Sequence, residues 1–289
     1  MQNFIESYEG AIRLGFFVGM LGVMGLWESL APGRQLLVSR WLRWANNLGL
    51  VVFNSLIVRL VFPATAVGMA ALAAEYKWGV LNLVELPPGL AILLSVVLLD
   101  LAIWLQHVMF HAIPVLWRLH RVHHADPDYD VTTGLRFHPL EILLSMLIKF
   151  AVIALLGPPL VSIIIFEVLL NAGAMFNHGN VRLPLSLDRL LRLLIVTPDM
   201  HRVHHSIADD EANSNFGFNL SWWDRLFGTY RDQPRAGHEG MTIGIRNFHS
   251  PGDVTWLHGL LALPFRGRIS GYAINRRQWE SDANDQRSL

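Results

Sequence analysis

The chain reads His-Arg-Val-His-His at residues 120–124 and again at 201–205, and a His-x-x-x-His pair, His107 and His111, stands just upstream. Ten of its thirteen histidines lie between 107 and 205, so the imidazoles are concentrated and not scattered. At 3.6 residues per turn, spacings of three and four share a helix face, and each cluster is expected to offer two or three imidazoles in a common direction. A metal site needs that arrangement. A structural zinc site takes four ligands and a catalytic one three plus water. Eight clustered histidines (His107, His111, His120, His123, His124, His201, His204 and His205) therefore exceed the demand of one ion and point to two. Left unliganded, so many imidazoles at close quarters could not all be protonated cheaply. Imidazole suits zinc, copper, iron or nickel, so ligand type leaves the element open.

The bulk composition says where such a site sits. Hydrophobic residues make up 52% of the 289 and charged residues 16%, an apolar balance that points to a bilayer. Formal net charge is zero, so no basic field exists to attract nucleic acid. The absence of cysteine excludes disulfides, thiolate ligands, cysteine-bound iron–sulfur clusters and a cysteine nucleophile, and any metal must take nitrogen or oxygen ligands. The N-terminus lacks a basic region and a small-residue cleavage site, so the first apolar stretch is expected to stay as an anchor.

Four apolar stretches stand out, at roughly 11–31, 47–73, 87–106 and 142–177. The last is too long for one span, and Gly157-Pro158-Pro159 divides it into halves a little short of the ~20 residues needed to cross. A helical hairpin that dips in and returns, with both ends on one side, is expected. Arg34, Arg40 and Arg43 lie between the first two stretches, whereas the 74–87 loop carries one Lys and two Glu. Positive-inside reasoning puts the arginine loop in the cytoplasm (the inner membrane, if bacterial), and the third span then delivers His107 and all later histidines to that face. The expected organisation is all-α: N-terminal membrane helices over 1–95, a catalytic domain over 96–231 that includes the hairpin, and a C-terminal part over 232–289. That last part is read as a short interfacial helix near Thr255–Phe265 followed by a frayed tail, 275–289.

In order along the chain stand His107-x-x-x-His111, His120-x-x-His123-His124, Phe137-His138-Pro139-x-Glu141, Asn177-His178-Gly179-Asn180, His201-x-x-His204-His205, Asn215-Phe216-Gly217 and Trp223-Asp224-Arg225-Leu226-Phe227-Gly228-Thr229-Tyr230. Their order and spacing, over about residues 96–231, resemble the fatty acid hydroxylase / sterol desaturase superfamily of membrane di-iron oxygenases. The resemblance implies a cytosolic helical cap over about four membrane helices, holding two iron ions with eight to ten histidines. It also implies hydroxylation, desaturation or ether cleavage of lipids with dioxygen as cosubstrate and electrons from outside. His138 and His178 match positions that look like the remaining ligands. Some relatives carry a second histidine four residues before His178; here Ala174 stands there, and His138 is the expected substitute.

Chemistry also favours iron. Oxidising an unactivated lipid C–H bond needs a dioxygen-derived oxidant at a redox metal, outside the Lewis-acid repertoire of zinc. With no cysteines and no recognisable cytochrome, flavin or dinucleotide-binding segment, the electron donor is expected to be a separate protein. Asp100, inside an apolar run, reads as functional. With Trp104, His107 and His111 it keeps one helical face, and it is expected to orient a histidine from another segment. Glu141 and Asp224 are weaker candidates for the same role. Asn215 and the aromatic run near 223 read as architecture, Lys149 as a side chain snorkelling to the headgroups, and His238, His249 and His258 as outside any ligand spacing. Arg121 and Arg202 are expected to pair with carboxylates or lipid phosphates. The competing readings are a zinc-dependent membrane hydrolase, which lacks its usual His-Glu-x-x-His here, and a metal-binding or transport protein, which would string its ligands along the spans.

Overall fold

The computed structural model describes residues 8–267. In chain order the principal helices are α1 (Glu9–Leu30), α2 (Arg40–Val61), α3 (Ala66–Glu75), α4 (Pro88–Ala112), α5 (Pro114–His124), α6 (Pro139–Leu156), α7 (Leu160–Asn177), α8 (Leu185–Leu191) and α9 (Pro198–His204). Short helical turns follow, and among the described residues the only β pairing is two isolated bridges. Four helices that carry the histidines or their supports (α4, α5, α6 and α9) begin with proline in the first turn, where the missing N–H forfeits no intrahelical bond.

Five segments are long and apolar enough to cross a membrane: α1, α2 with α3, α4, α6 and α7. The stretch read as one span at 47–73 is broken after Val61 by Pro63, and the Thr65 hydroxyl caps α3 by accepting from Gly68 N. The small residues of α3, Ala66 and Ala70, then pack with Ile153, Ile163 and Phe166 of the hairpin. Each hairpin helix has 18 residues, about 27 Å at the α-helical rise. That comes close to the ~30 Å hydrocarbon thickness, so the hairpin is two candidate spans where a shallower excursion was expected.

The turn between them needs Gly157. Its φ is +65°, and a Cβ there would stand 2.3 Å from Trp78 O and 2.4 Å from Asn82 Nδ2. The loop after α3 thus closes on the hairpin's turn, while the hairpin's open ends bring Glu141 and His178 to the histidines at the other side. Both open ends share a side, as expected.

Buried ion pairs tie the loops of that side to the membrane helices. Arg43, the first-turn residue of α2 counted as a loop charge, is fully buried: it donates to Asp126 Oδ2 at 2.7 Å and to Asp130. Burial pushes the Asp126 carboxyl up, but the Arg43 and Arg136 guanidiniums beside it bring it below its ordinary range. Glu28 of α1, also buried, accepts from Val131 N and Asn180 N, each at 2.7 Å. The 31–39 loop follows: Gly33 N donates to Asn180 O and Leu37 N to Asp128 Oδ1. The arginine loop and the histidine segments therefore lie together, although Arg43 is neutralised internally and contributes no free charge to orientation.

The segment near 255–265, read as an interfacial helix, packs one side into the core: Leu260 and Leu263 are fully buried with Leu50 of α2 and Val122 of α5, the short helix Leu257–Ala262 lying against α2 and the turn after it against α5, while Trp256 and Phe265 stay exposed. The tail at 275–289 lies outside the described residues. Because Arg43 leaves two buried carboxylates when truncated, Arg43→Met is expected to lower stability by about 3–5 kcal/mol, read as a fall in thermal midpoint of the detergent-solubilised protein; an unchanged midpoint would show that this network does not hold the cap.

Candidate metal centre

Nine histidines converge, all buried. His107, His111, His120, His124 and His204 form one group, and His123, His178, His201 and His205 a second; in each, one ligand atom per residue lies within 4.8 Å of the others. The groups abut: the rings of His124 and His205 stack with centroids 4.6 Å apart, and those of His201 and His204 at 5.0 Å.

The two pentapeptides do not each face one way. In the first, His120 and His124 enter the five-membered group while His123 enters the other; in the second, His201 and His205 join the four-membered group while His204 crosses over. Helix geometry accounts for the split. Positions i and i+4 differ by about 40° around the axis, whereas i+3 and i+4 differ by about 100°. A His-x-x-His-His segment at a shared wall therefore divides its rings between the two groups, and two such segments placed oppositely exchange their odd members.

Tautomers follow from what the outer nitrogens touch. Nδ1 donates to Phe216 O in His107 (2.8 Å), to Glu141 Oε1 in His120 (2.7 Å), to Ala174 O in His178 (2.7 Å) and to Ser214 O in His204 (2.7 Å). His111 Nδ1 faces Asn213 Oδ1 at 3.3 Å. Carbonyl and carboxylate oxygens accept, so the hydrogen sits outside and each Nε2 presents a lone pair inward. The His107 and His120 lone pairs so fixed face each other at 3.0 Å; His111 Nε2 also meets His124 Nε2 at 3.0 Å, and His178 Nε2 meets His123 at 3.2 Å and His205 at 3.1 Å, where the second ring has no described outer acceptor and its Nε2 can donate in the metal-free protein. His201 Nε2 and His204 Nε2 are buried without a hydrogen-bond partner. Facing lone pairs repel unless a cation lies between them. Nitrogens bound ~2.1 Å from one ion stand about 3.0 Å apart at a right angle and about 3.4 Å apart at the tetrahedral angle. The observed separations fall in that range, so the donor set fits two imidazole-bound metal ions.

His138 is not brought to either group. It caps α6, its Nδ1 accepting from Leu140 N at 3.2 Å, and its Nε2 donates to Leu261 O at 3.2 Å. Pro139 places it before the helix starts. Asp100 also departs from expectation: it touches no histidine and accepts from Asn219 Nδ2, Leu220 N and Trp223 Nε1, anchoring a loop. Glu141 does orient His120. Asp224 acts at one remove, accepting from Phe216 N and Gly217 N, each at 2.8 Å, and from Trp104 Nε1; it fixes the peptide whose carbonyl holds His107. Arg202 pairs with Asp199, whereas Arg121 donates to Leu263 O.

Asn215, read as architecture, is a positioning residue. Its φ is +52°, a left-handed conformation that Asn tolerates. Its amide clamps both flanks, with Nδ2 donating to Met200 O and Arg231 O and Oδ1 accepting from Arg231 N, all at 2.8 Å. The turn so held aims Ser214 O at His204 and Phe216 O at His107. The sequence signal was the Asn-Phe-Gly triplet itself, which shows its purpose only when its two carbonyls are seen against two remote rings.

Burial, then neighbouring imidazoles, holds His120, His123, His124, His201 and His205 well below the ordinary imidazole range; burial lowers His204 as far and takes His178 down to about 3. These rings are neutral near pH 7, as metal ligands must be. In the unfolded chain they bind protons below about pH 6.5. Unfolding then takes up protons, and stability of the metal-free protein should fall as pH drops from 7 to 5 and continue falling toward the folded pKa values. Chemical unfolding of chelator-treated protein at pH 7, 6 and 5 checks this; a flat profile would mean the rings are protonated or solvated in the fold.

The family model described as fatty acid hydroxylase matches residues 92–229. The chain is 31% identical over 159 residues to an ornithine lipid hydroxylase of Rhizobium tropici, covering 55% of this chain and 46% of that one. It is 28% identical over 155 residues to alkylglycerol monooxygenase of Homo sapiens (52% and 32%) and 26% identical over 190 residues to cholesterol 25-hydroxylase of Rattus norvegicus (65% and 61%). The matched part thus spans less than two thirds of each of these relatives. No solved structure matches. The matched stretch carries all nine grouped histidines with their carbonyl and carboxylate supports, and over those residues the chain is similar to the fatty acid hydroxylase family.

Proposed function

We propose that the protein is a membrane-bound di-iron oxygenase that hydroxylates or desaturates a lipid, using dioxygen and electrons from a separate donor protein. One observation carries the reading: the five-histidine group forms an end of a cavity that runs between membrane helices. The cavity measures about 360 Å³. His107, His120 and Glu141 line it together with apolar groups such as Ile103, Phe110, Phe137 and Met146. A hydrocarbon segment entering from the bilayer would meet apolar walls and then the imidazoles. The relatives support lipid as the substrate class, each by its own name.

The bound iron pair would supply a dioxygen-derived oxidant able to break a C–H bond. For hydroxylation, the C–H carbon takes one oxygen atom of O2, and the other leaves as water with two electrons and two protons from outside. The chain's own residues bind and orient. Phe110 and Phe137 exclude water from the approach, while Glu141 keeps the His120 hydrogen on Nδ1 and its lone pair toward the ion. Asn215 and Asp224 hold the carbonyls that do the same for His204 and His107. Among the described residues, the carboxylate beside the histidines, Glu141, is engaged on His120 and is not placed as a base for hydrolysis. The arginine loop, packed with the histidine segments, supports a cytoplasmic position for the centre.

Protein isolated without chelators is expected to carry close to two irons per chain by metal analysis, with zinc as an adventitious replacement; one ion, or none after gentle isolation, would contradict the di-metal reading. His123→Ala or His204→Ala should abolish dioxygen-dependent lipid oxidation while membrane insertion persists, and Glu141→Gln should lower it about 10- to 100-fold. Lipid profiling by mass spectrometry of cells with and without the gene reads the reaction, as a gain of one oxygen or a loss of two hydrogens; retained activity in either histidine variant would remove these residues from the ligand set.

A further inference from the structure

The cavity that ends at His107 and His120 has a charged far end. Lys149 Nζ lies 2.9 Å from Glu167 Oε1, Arg13 Nη1 lies 3.1 Å from Glu167 Oε2, and all three residues line the same cavity. Lys149 follows Glu141 by eight residues on α6, about 12 Å at the helical rise. Ten residues separate Lys149 from the start of α6 and Glu167 from the end of α7, so the cluster sits near mid-depth of two 18-residue spans. Ion pairs there are costly and are retained in membrane proteins where they face a cavity. Lys149, expected from the sequence to snorkel away, is instead turned inward, and Asn171 and Ser145 add polar groups to the same wall.

A lipid can lie in this cavity in two directions. With its polar end at the histidines, its hydrocarbon would cover the cluster. An ammonium has three donors and Glu167 takes one, so methylenes over Lys149 would leave buried donors unmade. In the reverse direction a polar group satisfies them. Glu9 precedes Arg13 by one turn on α1, so the two cations of this region stand against two carboxylates. The balance favours an uncharged group that both donates and accepts over an anion.

Building on the reading of this cavity as the substrate site, we propose that the Arg13–Glu167–Lys149 cluster with Asn171 anchors the substrate's polar group, a hydroxyl or carboxamide. The carbon presented to His107 and His120 is then remote from that group. Extended chains advance about 1.2 Å per bond, so some ten bonds separate the anchor from the oxidised carbon.

The test uses the full chain in nanodiscs, with thermal unfolding followed on adding 1-dodecanol, dodecanamide, n-dodecane or dodecanoate. The alcohol and the amide should raise the midpoint and the alkane should not, and Lys149→Met should erase the difference. Asn171→Leu, which leaves every ion pair in place, should also weaken the preference if the lysine variant fails to fold. His204→Ala should retain it, because the anchor stands away from the metal ligands. Equal stabilisation by n-dodecane, strongest stabilisation by dodecanoate, or an unchanged preference in both Lys149→Met and Asn171→Leu would each overturn the proposal. Binding is read without turnover, so loss of oxidation with this preference intact would count against the oxygenase reading alone, and oxidation without the preference against the anchor alone.

Discussion

Mutual repulsion among inward-facing imidazole lone pairs is the constraint on which the rest of this structure depends. Nine neutral rings are packed without solvent, and their Nε2 atoms approach to 3.0–3.2 Å in the closest pairs. Between His107 and His120, whose hydrogens are both held on Nδ1, two lone pairs face each other and gain no hydrogen bond. Cations at the centre of each group reverse the sign of the interaction. The fold around the rings accordingly supplies acceptors on the outside and turns inward a donor set that could hold metal ions.

Those acceptors come from unrelated parts of the chain. Carbonyls at 174, 214 and 216 and the carboxylate of Glu141 set four of the rings, and the residues behind them, Asn215 and Asp224, hold the backbone that carries two of those carbonyls. Such outer partners fix ring orientation and raise ligand basicity. The arrangement is rigid because each support is itself buried and paired: Arg43 with Asp126 and Asp130, and Glu28 with two backbone N–H groups. A cap built on buried charge is intolerant of losing one partner, which leaves the other desolvated and alone.

The membrane half has its own polar logic. Most of its surface is apolar, yet Lys149 and Glu167 meet inside the hairpin and face the cavity that reaches the histidines. Along α6, eight residues separate Glu141 at the histidine end of this cavity from Lys149 at its charged end.

The convergence of the histidines was written largely in the linear pattern, since i, i+3 and i+4 spacings constrain where rings can point before any tertiary contact exists. The apolar stretches gave the membrane helices for a similar reason, as length and composition alone decide whether a segment can cross. Which group each ring joins was not legible, because the division within each pentapeptide depends on how α5 and α9 lie against one another. His138 shows the limit from the other side: its motif promised a ligand, but Pro139 makes it a helix cap aimed at Leu261 O. Asp100 and Lys149 find partners the sequence did not indicate, Asn219 and Trp223 for the one and Glu167 for the other, because those partners lie on other segments of the chain. Local chemistry is carried by spacing, and partnership across the fold is carried by packing, which only the assembled chain possesses.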